Sequence, residues 1–368
     1  MCDLFIVTGE PSGDLHGSLL IQELLKKRPS LKIGAVAGPR MRALPIETFF
    51  PMENLQVMGF IDVLFALPKI ARQFFAIRKK ILKLNPKAVI CIDYPGFNLR
   101  LERSLREKGY RGKLIHYVCP TVWAWGKKWI PRMAESLDLL LAFFPFEKAC
   151  FSHTKLSVQT IGHPLASKIA PRSNTIDSKL IALFPGSRQK EIERNLPLQL
   201  KTAQKLLLLD PDLKVAISIA HPDFEPLIKK IAQGIPLLFS AENYDLMRSA
   251  HLALATSGTV TLELALHRIP TVVNFAIRPL DCFIAQKIFG IDLPFYALPN
   301  IIASKSVFPE LFGPNLTEEA LFFWAQKLCF DPEERKSCLK ECDQMRSALD
   351  VSNTGSSACT HIFALLDF

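Results

Sequence analysis

Twice in its 368 residues the chain runs from a short apolar segment through a glycine-containing loop into a helical pattern, and each start opens a train of alternating strand and helix signals. In the first half, Leu4–Thr8, Lys32–Ala37, Ala88–Ile92 and Lys113–Val118 are short and apolar, as buried parallel strands are. Leu15–Lys27 and Asn98–Lys108 carry helical spacing between them. Leu180–Phe184, Lys214–Ile219, Leu252–Ala255 and Thr271–Asn274 restart the series, with helices expected after Ser187, Gly258 and Arg278. Such alternation buries strands on both faces and predicts an α/β chain of two doubly wound parallel-sheet domains.

The length also calls for two cores. The linker is expected in Ala166–Ser178, a polar stretch with Pro171 and Asn174 and no periodicity. The tail from Asp331 reads as two helices, Arg335–Asp350 and Ser356–Leu366, split by Asn353-Thr354-Gly355, with no further strand to follow. Hydrophobic residues make up 49% and charged residues 22%, values of a globular protein and far from disorder. Nine cysteines, none in a C-x-x-C pair, read as reduced core thiols of a cytosolic protein. Met1 leads straight towards Leu4–Thr8 past an acidic Asp3, unlike a signal peptide, and every apolar run is broken before about 20 residues. The expectation is a chain that is not exported and that lies on a membrane if it meets one. The net charge of +10 suits anionic lipid, a phosphorylated substrate or nucleic acid. The basic residues are spread out and form no nucleic-acid-binding motif, so nucleic acid is the weaker reading.

Four segments can carry chemistry. Gly9-Glu10-Pro11-Ser12-Gly13-Asp14 joins a strand to a helix; Gly13 would admit a polar substrate while Ser12 or Asp14 caps the helix, or the whole is a capped turn. It is not G-x-G-x-x-G, which weakens a nicotinamide reading. Gly186-Ser187-Arg188 at the next strand–helix junction suits a diphosphate, with a surface arginine as the plain alternative. Ser257-Gly258-Thr259 could hold phosphate at a helix start, or simply cap it. Glu263, flanked by Leu262 and Leu264, could take both hydroxyls of a ribose. Asp93, at the end of an apolar run, is placed for a general base, although an aspartate there is commonly a turn residue.

Residues 116–129 hold three of the four tryptophans; Trp123, Trp125, Lys127 and Lys128 could wall a sugar or lipid and contact phosphate, or belong to the core. Phe60–Lys80 is apolar with cationic punctuation, as an interfacial helix, an acyl groove or a core-facing helix would be. Asp210-Pro211-Asp212 reads as a helix stop, and the eight histidines show no metal-binding spacing.

The ordered set GEPSGDLHG, VMGF, IDYPGFN, VWAW, FPFE, IGHP, PGSR with Glu191, SGTVTLE and LPNI resembles the lipid-A-disaccharide synthase family over essentially the whole chain. The resemblance implies GT-B architecture, two Rossmann-like domains facing a central cleft. These would be residues 1–168 with a C-terminal helix of about 343–368 for the acceptor, and 176–340 for the UDP-sugar. It implies an inverting transfer from UDP-2,3-diacylglucosamine to 2,3-diacylglucosamine 1-phosphate, giving a β-1,6 disaccharide and UDP with no metal or other cofactor. It also implies a cytoplasmic enzyme at the inner face of the cytoplasmic membrane. A homodimer is compatible with this reading. By the same resemblance Asp93 matches the essential aspartate, Arg188 the diphosphate arginine, and Glu263 and Asn300 the nucleotide side. Ser12, Gly13, Asp14, Trp123, Trp125, Lys127 and Lys128 fall on the acceptor side. Gly96 stands where many members carry a second Asp, which argues against a two-carboxylate mechanism, and Cys119 stands where Ser is usual. The competing readings are another GT-B transferase or a UDP-sugar epimerase with a soluble sugar, and a basic peripheral membrane or nucleic-acid-binding protein without catalysis.

Overall fold

The computed structural model describes residues 2–55, 60–124, 126–170, 179–234, 237–240, 242–277, 293–349 and 353–367, with backbone alone for 60–67. It divides into two compact units, Met1–Pro164 with Asp350–Phe368, and Leu165–Leu349.

In the first unit β1 (Leu4–Thr8), β2 (Ile33–Ala37), β3 (Glu47–Pro51), β4 (Ala88–Ile92), β5 (Lys113–Tyr117), β6 (Leu139–Ala142) and β7 (Ser157–Thr160) form one sheet in the order β3-β2-β1-β4-β5-β6-β7, parallel throughout. Helices α1 (Pro11–Lys27), α2 (Pro39–Arg42), α3 (Phe60–Leu84), α4 (Pro95–Glu107), α5 (Ile130–Ser136) and α6 (Pro145–Ala149) connect the strands. The chain reverses direction of winding between β1 and β4. There the loops leaving the two strands diverge to opposite sides and open a crevice at their carboxyl ends.

Gly13 sits in α1 for a packing reason: a Cβ there would stand 2.2 Å from Thr8 Oγ1 and 3.5 Å from the Ile92 carbonyl. The glycine lets α1 lie directly on the β1–β4 seam. Asp14 also corrects its expected role. No side chain caps α1, and the buried Asp14 carboxylate instead accepts the Arg40 and Met41 amides at 2.8 and 3.1 Å, anchoring the start of α2.

In the second unit α7 (Pro164–Lys168) precedes β8 (Leu180–Phe184), β9 (Lys214–Ser218), β10 (Leu238–Ser240), β11 (Leu252–Thr256), β12 (Thr271–Phe275) and β13 (Glu310–Phe312), ordered β10-β9-β8-β11-β12-β13 and again parallel. Around it lie α8 (Gln189–Leu209), α9 (Glu225–Ile231), α10 (Asn243–Ser249), α11 (Thr259–Leu266), α12 (Leu298–Ala303), α13 (Glu318–Phe330) and α14 (Pro332–Ala348). Here the switch point lies between β8 and β11. α8 does stop before Asp210, whose carboxylate, with that of Asp212, pairs with Lys179. Arg346 on α14 ties this unit together by donating to the carbonyls of Ala166, Ile169 and Leu266. The last helix, α15 (Thr354–Leu366), returns to the first unit and packs on α1, where Gly355 lets it approach the Leu19 carbonyl and Lys27 bonds Thr360 at 3.0 Å.

Both central strands of each sheet are buried along their length save for the partly buried Leu180 that opens β8, so the two-domain α/β architecture expected from the rhythm is the one observed. The expected helix after Arg278 and most of the expected linker lie outside the described residues. Among the described residues no helix is long and apolar enough to cross a membrane.

Candidate functional site

At the switch point of the second sheet, two loops that are 70 residues apart in sequence share one cavity of about 230 Å³. Its walls include Gly186 and Ser187 from the loop after β8, and Ser257, Gly258, Thr259 and Glu263 from the end of β11 and the start of α11. Helix α11 therefore presents its amino end to the space, where free N–H groups and the helix dipole favour an anion. Gly258 is extended (φ 163°), and a Cβ added to it would meet nothing within 4 Å, so its face is turned to open cavity. Gly186 is held differently, at φ +118°, with the Glu191 Cβ 2.7 Å from where its own Cβ would be.

Glu191 organises that loop. Its carboxylate accepts the Ser187 amide at 3.1 Å and pairs with Arg188 at 2.7 Å, bending the first turn of α8 back onto the loop. Arg188 itself is 80% exposed and does not line the cavity; it reaches the site only through Glu191. Glu263 is half-buried, its carboxyl raised by burial and opposed by the Tyr244 hydroxyl, which donates to it at 3.1 Å. A carboxylate so placed has unused acceptor capacity towards a pair of hydroxyls.

Two residues not marked by any sequence motif complete the wall. Ser218, at the end of β9, donates to Asn243 Oδ1 at 2.5 Å at the start of α10. Asn300 is absent from the cavity. It is fully buried, accepts the Val307 and Phe308 amides at 2.8 and 2.9 Å and donates to the Phe308 carbonyl. Its side chain is spent on holding the segment that leads into β13.

In the first unit the switch point gathers acidic groups. Asp93 and Tyr94, directly after β4, are both left-handed (φ +50° and +49°), and Val118 after β5 is too (φ +78°). Three such non-glycine residues at adjacent strand ends are a store of strain of the kind concentrated at functional sites. Asn98 holds the turn by donating to the Ile92 and Asp93 carbonyls. Tyr94, not Asp93, is the N-cap of α4, and no hydrogen bond from a described residue reaches the Asp93 carboxylate. Across the seam stands Glu10, which sequence reasoning left without a role. Burial and then the charge of Asp93 raise its carboxyl above the ordinary range. Ser12 and Gly13 lie in the first turn of α1 beside it.

Aromatic rings of the first unit form a packed wall. His16, Tyr117, Phe143, Phe144 and His163 pack ring to ring at 5.0–6.3 Å, and Trp123 meets Phe146 edge-on at 5.7 Å. Lys127 and Lys128 are exposed on a short 3-10 turn, and Trp125 lies outside the described residues. Burial, and then His16, lower the His163 ring to about 4, so it is neutral at physiological pH.

Glu147 behind this wall is 3% exposed, and burial raises its carboxyl to about 8 against the opposing Phe144 and Phe143 amides. The fold thus keeps a proton that the unfolded chain releases near the ordinary value of 4.5. Its contribution is full below that value and is lost as pH rises towards 8, at up to about 1.4 kcal/mol per pH unit. Urea midpoints measured from pH 6.5 to 8 should fall in the wild type and stay flatter in Glu147→Gln; equal slopes would remove Glu147 from the balance. His163 acts in the opposite direction, on the acid side of its ordinary value of 6.5.

The model of the family described as lipid-A-disaccharide synthetase matches residues 4–363, through both switch points. The chain belongs to that family. Similar proteins include the lipid-A-disaccharide synthase of Chlamydia trachomatis serovar D, 41% identical over 324 residues covering 84% of this chain and 53% of that protein. That of Azotobacter vinelandii is 35% identical and covers 86% of each. The chain spans about half the length of the Chlamydia trachomatis relative. Among solved structures, the S. aureus MnaA–UDP complex (TM-score 0.65, 14% identity, 100% of this chain and 97% of that one) shares the fold. So does the UDP-GlcNAc 2-epimerase of Neisseria meningitidis bound to UDP-GlcNAc (TM-score 0.61, 14% identity, all of both chains). The fold, two parallel-sheet α/β domains, is that of GT-B proteins.

Proposed function

We propose that this member of the lipid-A-disaccharide synthetase family is the transferase of lipid A biosynthesis. It would join UDP-2,3-diacylglucosamine to 2,3-diacylglucosamine 1-phosphate, giving the β-1,6 disaccharide 1-phosphate and UDP. The observation that carries the reading is the single cavity at the β8–β11 switch point, walled by a glycine turn, a helix amino end and a half-buried carboxylate. These match a diphosphate, its developing charge and a ribose. Ser187, Gly258 and Thr259 would hold the diphosphate, and Glu263 the ribose hydroxyls. A diphosphate entering beside Ser187 competes with Glu191 for the Ser187 amide and for Arg188, so Arg188 would pass from Glu191 to phosphate.

On the first unit, Asp93 would take the proton from the attacking acceptor hydroxyl while the anomeric carbon inverts and UDP leaves. Glu10, its like-charge neighbour, would keep the local field negative and favour the cation-like sugar of the transition state. The part of α3 whose side chains are described has two characters: Ile77 and Ile81 are buried in the core, whereas Phe75 is 55% exposed. The exposed Phe75 and the net charge of +10 support work at an anionic inner membrane surface, where both acylated substrates would reside.

The test supplies both acylated sugars in detergent with a metal chelator present. Disaccharide and UDP should appear in equal amounts. Release of UDP with free sugar, or an epimerised nucleotide sugar and no disaccharide, would contradict the transferase reading.

A further inference from the structure

A second recess in the first unit, of about 180 Å³, lies between α4 and α5. Arg100, Arg103 and Arg132 line it, with Trp129, Leu99 and Met133 also on its wall. Its one lining carboxylate, Glu102, is 1% exposed and turned inward to His116 Nδ1 at 2.6 Å, so it does not neutralise the opening. Glu107 pairs with Arg103 at 2.8 Å, but both side chains are more than half exposed and hold each other weakly. No carboxylate among the described residues pairs with Arg100 or Arg132. Arg100 and Arg103 are three residues apart on one helix face, a like-charge spacing that works against the helix unless an anion answers it.

The recess opens beside an apolar groove of about 360 Å³ lined by Ile70, Ala71, Phe74, Phe75, Tyr94 and Phe97. Arg100 and Gly96 belong to both walls. Three guanidiniums and a hydrocarbon groove with a shared edge fit one kind of ligand, an amphiphile with a phosphate head. The shared edge begins three residues after Asp93.

We infer that the α4–α5 recess binds the phosphate of the acylated acceptor, with Arg100 and Arg132 as the gripping residues and the Phe74–Phe97 groove receiving an acyl chain. This rests on the acceptor named above and adds the site that selects it.

The experiment compares wild type with the double variant Arg100→Gln, Arg132→Gln, both positions being exposed and so without cost to folding, which a thermal midpoint checks. Equilibrium binding of the diacylglucosamine 1-phosphate acceptor in neutral detergent micelles should weaken tenfold or more. Binding of the same lipid lacking its phosphate should be weak in both proteins and equal. In turnover, the acceptor KM should rise by a similar factor while the donor KM stays where it was. Equal acceptor affinities would overturn the inference. So would a loss confined to vesicles of anionic phospholipid and absent in micelles, which would make the recess a membrane-headgroup site. Because binding is read without turnover, a wild type that binds the phosphorylated acceptor but forms no disaccharide would sink the transferase reading and leave the recess standing.

Discussion

Asp93→Asn should lower kcat by about 10²–10⁴-fold, the range of a positioned general base, while UDP binding stays near wild type. The substitution isolates chemistry from structure. Asp93 is left-handed at φ +50°, a conformation asparagine adopts about as readily, and its carboxylate accepts no hydrogen bond from a described residue that the amide would have to replace. The turn should survive, since Asn98 holds it through backbone carbonyls alone. A second readout follows from the like-charge pair. Removing the Asp93 charge takes away one of the two causes that raise Glu10, so any residual activity should show a carboxyl titrating lower than in the wild type. Near-normal turnover would remove Asp93 from the mechanism and make Glu10 the candidate base.

Gly258→Val should cost UDP affinity about 100-fold, roughly 2.7 kcal/mol, with little change in thermal stability. The backbone at Gly258 is extended and suits valine, and the space around a new Cβ is empty of protein. Whatever the side chain displaces is therefore ligand. Gly186→Val is the contrast: positive φ and the Glu191 Cβ at 2.7 Å mean that strain and clash fall on the loop itself, and both stability and binding should drop. Normal UDP affinity in a well-folded Gly258→Val would place the diphosphate elsewhere.

The central strands were legible because burial on both faces writes an unbroken apolar run, as in Leu4–Thr8 and Ala88–Ile92. The short or polar edge strands Ser157–Thr160, Leu238–Ser240 and Glu310–Phe312 were not, since a partly exposed three- or four-residue strand leaves no period. Leu139–Ala142 was missed for another reason: in a leucine-rich run, a buried strand and a buried helix look alike. The loops after β8 and β11 were legible as strand–helix junctions because glycine and hydroxyl residues mark turns and helix starts. Ser218 and Asn243 were not, because they meet only once β9 lies beside β8. Asp14 and Asn300 show the converse. Both are conspicuous polar residues in distinctive motifs, and both are consumed by backbone amides, Asp14 by those of a distant segment and Asn300 by those of the loop that follows its own helix.

The most direct test of the account is amide hydrogen exchange with and without UDP. Slowed exchange should concentrate in residues 186–188 and 257–260, the turn after β8 and the first turn of α11. Tight UDP binding that leaves those amides unchanged, or protects residues 9–14 of the first unit instead, would contradict it.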